Sequence, residues 1–163
     1  MSKLNNLKDL LEYELKDLYS AETQITEALP KMVKAAHSSD LKAALESHLE
    51  ETKNQIVRLE KVASEIGCDL KGEECKAMKG LVKEGEEMIK QKADTPVSDA
   101  GLIAAAQRIE HYEMAGYGTV VRYLQMLKFE NAARTLSETL DEEKGADQKL
   151  TKIAEEINVE AVS

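Results

Sequence analysis

Residues 103–124, IAAAQRIEHYEMAGYGTVVRYL, place the tightest constraint on the fold. Ile103, Ala106, Glu110, Glu113, Tyr117, Val120 and Leu124 recur at steps of three and four, the inward stripe of a buried α-helix. Two carboxylates therefore stand where a core helix carries leucine or alanine. A charged side chain is almost never fully buried alone, because an isolated ion loses its hydration. The fold must bring something to Glu110 and Glu113, and the other long segments aim carboxylates of their own inward.

The periodicity predicts a helix over 3–36, with Leu11, Leu15, Leu18, Ile25 and Leu29 on the face that also carries Glu22. Pro30 is expected to kink it near its end. His37 to Asp40 read as a turn, with Ser39 or Asp40 as N-cap of a second helix over 41–66 that Gly67 closes. The inward face of that helix is apolar at both ends and polar in the middle, at His48, Thr52 and Gln55. Glu51 sits on its shoulder, roughly a quarter turn from the centre at ~100° per residue. A short helix over 73–92, weakened by Gly80 and Gly85, lies in a connection too long for a turn. Helices over 97–127 and 131–158 follow, the last with Glu143 and Asp147 at core positions and a tail expected to fray after Asn158.

With 163 residues, only two prolines, one Phe and no Trp, the chain suits one all-α domain spanning 1–163. Two antiparallel helix pairs joined by one long crossover form a four-helix bundle of the ferritin-like arrangement, with the short helix in the crossover. A faint repeat supports the pairing, since SDLKAALESHLEET and ENAARTLSETLDEE align with Leu45 on Leu136 and Leu49 on Leu140. The net charge of −9 argues against nucleic acid or an anionic membrane as partner. No apolar run approaches ~20 residues, which predicts no membrane span. The charge-mixed N-terminus does not read as a signal peptide. Cys68 and Cys75 lack metal-site spacing and read as reduced thiols of a cytoplasmic protein, with a redox-sensitive pair as the other reading.

Counting outward from the turns puts Glu22 level with Gln55, and Glu110 and Glu113 within about a turn of Glu143 and Asp147. Stacking the pairs gathers Glu22, Glu51, Glu110, Glu113, Glu143 and Asp147 around one point. Such a group cannot ionise fully without a cation, and no Lys or Arg occupies the centre of these stripes. Facing oxygen ligands in a bundle suit a pair of divalent metal ions. The competing reading has the acids reaching the surface, pairing with basic residues at the helix edges or sharing protons. His48, about seven residues or ~10 Å from the level of Glu22, reads as a core or supporting histidine rather than a ligand. Gln55 and Thr52 read equally as supporting donors or satisfied core polars, and the tyrosines read as packing residues, with Tyr117, two turns from Glu110 on its stripe, the one placed to sit near a metal-oxygen reaction. His111 and His37 read as solvated.

The segments YSAETQITEALPKM, HLEETKNQIVRLEKV, AAQRIEHYEMAGYGT and ETLDEEKGADQKLT together resemble the YciF/YciE-like bacterial stress proteins of the ferritin-like superfamily. The resemblance covers nearly the whole chain. It implies a cytoplasmic homodimer linked to stress responses and a dinuclear site for iron, with manganese as the other candidate. It also implies Glu22, Glu51 and Glu110 as ligands from the first three long helices, Glu113 as an extra carboxylate, and Glu143 with Asp147 on the last helix. The superfamily's usual Glu-x-x-His is absent, because the corresponding positions read Glu51-Thr-Lys-Asn54 and Glu143-Lys-Gly-Ala146. That departure shifts the expected site towards oxygen-only ligation. Two functions follow as expectations: a metal-dependent protein acting on peroxide, oxygen or Fe(II), or a non-catalytic dimeric scaffold with a degenerate site.

Overall fold

The computed structural model describes residues 4–162. The chain folds into α1 (Leu7–Ala35), α2 (Ser39–Ile66), α3 (Lys76–Ile89), α4 (Thr95–Met126) and α5 (Glu130–Val162), with no strand among the described residues. The expected start of the first helix at Lys3 lies outside the described residues. Helix α1 begins after Asn6, whose side chain accepts a hydrogen bond from the Asp9 amide at 3.0 Å, and runs through Pro30. Ser38, rather than Ser39 or Asp40, caps α2 by accepting from the Leu41 amide. Gly67 ends α2 in the left-handed region at φ 73°, where a side chain would be strained.

Helix α3 is shorter at both ends than its periodicity suggests, because Cys75 serves as its N-cap, and Lys90 as its C-cap. Helix α5 continues to Val162, past the expected fraying point at Asn158, with Ile157 buried. The tight link between α4 and α5 closes at Lys128, φ 65°, with the Phe129 amide donating back to the Leu124 carbonyl at 2.9 Å.

Helices α1 and α2 form one antiparallel pair, α4 and α5 the other, and α4 also packs on α1 while α5 packs on α2. The long connection carries α3 against α1 and α4. It is anchored there by Ser20, which accepts from the Cys75 amide at 2.9 Å, and by Gln24, which donates to the Cys75 carbonyl. Both cysteines are free thiols, and that of Cys75 is buried 3.0 Å from the Tyr112 hydroxyl.

The interior divides into two apolar clusters. Leu11, Leu15, Leu18, Leu59, Val62, Val120, Leu124 and Leu136 fill one end. Ile25, Leu29, Leu41, Leu45, Leu102, Ile103 and Leu150 fill the other. Between them lies a buried polar layer of Glu22, His48, Thr52, Gln55, Glu110, Glu113, Thr139 and Glu143.

Asp99 fixes how the two pairs meet. Its buried carboxylate accepts from the backbone amides of His37, at 2.9 Å, and Ser38, at 2.7 Å, in the α1–α2 turn. This contact ties the start of α4 to the start of α2, so these two helices run parallel from a common origin.

Candidate metal centre

The polar layer is built from the inward stripes of four helices, with one residue from α1, three from α2 and two each from α4 and α5. Glu22, Glu113 and Glu143 are fully buried, Glu110 is 2% exposed and His48 4%. One side-chain atom each from His48, Glu110, Glu113 and Glu143 lies within 4.8 Å of the other three. His48 is the residue that sequence reasoning set aside. Its register was measured from Glu22, whereas the relevant neighbour is Glu110. Eleven residues separate His37 from His48 and Asp99 from Glu110, and from that shared origin the parallel helices deliver both side chains to one height. There Nε2 of His48 lies 3.2 Å from Oε1 of Glu110.

Glu22 completes the layer from α1. It accepts a hydrogen bond from the Tyr117 hydroxyl, so the tyrosine singled out by its stripe position does meet a core acid. Gln55 donates to Glu143 and, at 3.1 Å, to Glu142, so its amide orients the α5 carboxylate. Thr52 donates to the His48 carbonyl one turn back along its own helix.

Glu51 and Asp147 stand at the edge and are not among the four converging residues. Glu51, with its side chain 39% exposed, reaches within 3.6 Å of Nδ1 of His48. Contact with His48 outweighs partial burial and holds its carboxyl below the usual range. Asp147 turns to the outer side of α4, where Gln107 donates to it at 3.0 Å and His111 lies 3.2 Å away. His111 is exposed, as expected, but faces this carboxylate.

The electrostatics of the layer are severe. Burial, followed by the charge of Glu143, raises the Glu22 carboxyl to about 8. Glu110 and Glu113 are also raised well above the usual carboxylate range, first by burial and then by neighbouring acids. No Lys or Arg among the described residues pairs with Glu22, Glu110, Glu113 or Glu143; Arg58 spends its guanidinium on Glu142, at 2.6 and 2.7 Å. Among the described residues, eight buried side-chain atoms lack a hydrogen-bond partner: Oε2 of Glu22, Glu110 and Glu143, both oxygens of Glu113, both ring nitrogens of His48, and Oε1 of Gln55. Orphaned buried polar atoms are costly and uncommon in native proteins. Seven of these eight are of the carboxylate and imidazole types that bind divalent first-row metals, so the donor set fits a metal ion. A cavity of about 210 Å³ between α2 and α5 reaches the layer at His48 and Glu110.

The chain matches, over residues 6–163, the family model described as Domain of unknown function (DUF892). It is 44% identical over 152 residues to protein YciF of Escherichia coli, covering 93% of this chain and 92% of that one. The crystal structure of the Escherichia coli stress protein YciF superposes with a TM-score of 0.92 at 43% identity, covering 94% of this chain and 98% of the other. YcfI of Rhodopseudomonas palustris gives a TM-score of 0.88 at 44% identity, over 91% and 95% of the two chains. A protein from Xanthomonas campestris, at 18% identity and TM-score 0.76, shares the fold. The YciF-like resemblance read from the four motifs is borne out, as is the all-α bundle.

Proposed function

We propose, from the premise that this chain belongs to the DUF892 family and is similar to the stress protein YciF, that it is a metal-binding bundle protein of the stress response. The observation that carries this reading is the set of unpartnered carboxylate and imidazole atoms enclosed between two apolar clusters. Glu22, Glu110, Glu113, Glu143 and His48 would hold the metal, with Glu51 and Asp147 available at the edge. Two divalent ions, iron or manganese, suit the number of carboxylates. A redox-active ion bound here would supply electrons to peroxide or oxygen, and an Fe(II) cargo would itself be the substrate.

The protein's own residues prepare the site. Tyr117 fixes one oxygen of Glu22, and Gln55 fixes one oxygen of Glu143, leaving the second oxygen of each free. The apolar clusters cover the layer at both ends, and the cavity between α2 and α5 reaches it at His48 and Glu110. His48 brings the one nitrogen donor, which raises affinity for first-row transition ions over Mg(II) or Ca(II). The expected homodimer belongs to this proposal and is checked by sedimentation equilibrium.

A second reading is supported by the raised carboxyls. Near neutral pH the metal-free layer holds protons, and a protonated layer is compatible with a scaffold that binds no metal. Thermal melting with and without anaerobic Fe(II) or Mn(II) separates the two. Binding to the native state raises Tm by linkage, whereas a scaffold melts unchanged.

A further inference from the structure

The cavity between α2 and α5 is a chemical feature in its own right. Its floor is His48 and Glu110, both more than nine-tenths buried. Both ring nitrogens of His48 and Oε2 of Glu110 lack a hydrogen-bond partner, with Nε2 of His48 lying 3.2 Å from Oε1 of Glu110. Its walls are the aliphatic side chains of Leu45, Ala146 and Leu150. The rim carries Glu51, Lys149 and Glu142, the last held by Arg58. At about 210 Å³ it is smaller than the sites that take drug-sized ligands.

We propose that this cavity binds a small uncharged molecule with an O–H head group and a short branched alkyl body, the shared chemistry of a short-chain alcohol and an alkyl hydroperoxide. The head group exchanges hydrogen bonds with His48 and Glu110, which otherwise have free atoms there, and the alkyl part covers Leu45, Ala146 and Leu150. A carboxylate of the same size is rejected, because it has no O–H to donate and the whole chain carries −9. The inference rests on the metal-centre reading only for what happens to the bound molecule, since binding is measured on metal-free protein.

The wall also offers a clean way to close the cavity. Gly145 lines the cavity at an exposed position within α5, and a Cβ added there meets nothing within 4 Å, so Gly145→Leu places an alkyl group at the cavity mouth without a clash while improving helix propensity. The full chain, metal-free and isotope-labelled, is titrated separately with tert-butanol, tert-butyl hydroperoxide and pivalate while amide NMR shifts are followed. The expected result is saturable shifts at Leu45, His48, Ala146 and Leu150 with the first two probes and none with pivalate at equal concentration. Gly145→Leu weakens this binding at least tenfold. Tighter binding of the hydroperoxide assigns the cavity to an oxidant; equal or tighter binding of the alcohol assigns it to a hydroxyl compound. The proposal is overturned if neither uncharged probe shifts these amides, if pivalate binds equally well, or if folded Gly145→Leu binds as the parent does. Should Gly145→Leu not fold, the pivalate comparison on the parent decides alone. Metal uptake is scored separately, so a chain that binds the probes but no metal keeps the cavity and loses the metal centre.

Discussion

Nε2 of His48 lies 3.2 Å from Oε1 of Glu110, across the bundle core between two parallel helices with a common origin at Asp99. Neither nitrogen of that ring has a hydrogen-bond partner, and Oε2 of the carboxylate has none either. This pair converts a layer of buried acids into a mixed oxygen and nitrogen donor set. It depends on register held from the far end of the bundle.

That dependence is testable at Asp99. Its carboxylate accepts two backbone amides of the α1–α2 turn and lies 3.3 Å from Nδ1 of His37. Asp99→Ala leaves those amides unpaired at a part-buried turn, and the expected loss is about 1 kcal/mol of unfolding free energy. Urea melts of the metal-free protein measure it. An unchanged midpoint would remove Asp99 from the register argument.

Stability of the metal-free protein should fall as pH rises from about 4.5 to about 8. The Glu22 carboxyl has an ordinary value of 4.5 and is raised to about 8 in the fold, and Glu110 and Glu113 move in the same direction. Between those values the folded state binds more protons than the unfolded chain, so each rise in pH favours unfolding. The stabilising protonated state is complete below the unfolded value and is lost as pH passes the folded one. The whole change is on the order of a few kcal/mol. Saturating Mn(II) should flatten the profile, because the cation replaces the protons. Tm against pH, with chelator and with Mn(II), gives both curves.

Much of this layer was legible in the sequence. A Glu in the middle of an apolar stripe is visible as a break in helical periodicity, and Glu22, Glu110, Glu113 and Glu143 all lie buried where that pattern put them. Two things were not legible. Which face Asp147 turns to depends on Gln107 and His111 across a helix boundary, and these compete for its carboxylate. The height of His48 depends on how the two helix pairs slide past each other, where Asp99 ties α4 to the α1–α2 turn. Turn counting fixes register within a pair but not between pairs.

Close approach of α1 and α4 at the site predicts opposite outcomes for two glycines. A Cβ at Gly116 would sit 2.7 Å from Cδ2 of Leu18, a fully packed core side chain, whereas one at Gly118 meets nothing within 4 Å. Gly118→Ala should therefore stabilise by about 0.5–1 kcal/mol through helix propensity. Gly116→Ala should destabilise by about 1–3 kcal/mol through overpacking. Thermal or urea unfolding of the two variants side by side gives the comparison, and equal stabilities would contradict it.

Tyr117→Phe removes the hydroxyl that donates to Glu22 and leaves the ring packing in place. The fold should persist, with a loss of about 1–2 kcal/mol in the metal-free form. If Glu22 is a ligand, its freed oxygen is less well positioned and Mn(II) affinity falls. Calorimetric titration reads that change. Unaltered affinity would place Glu22 outside the metal's contacts.

The central claim is that the buried layer binds metal, and elemental analysis tests it most directly. The native chain and Glu110→Ala are loaded anaerobically with Fe(II) or Mn(II), desalted and assayed for metal per chain. The account predicts about two ions per native chain, as carboxylate-rich bundle sites of this kind hold, and a large loss in the folded variant. Native protein that retains no metal, or a Glu110→Ala variant that retains the full complement, would contradict it.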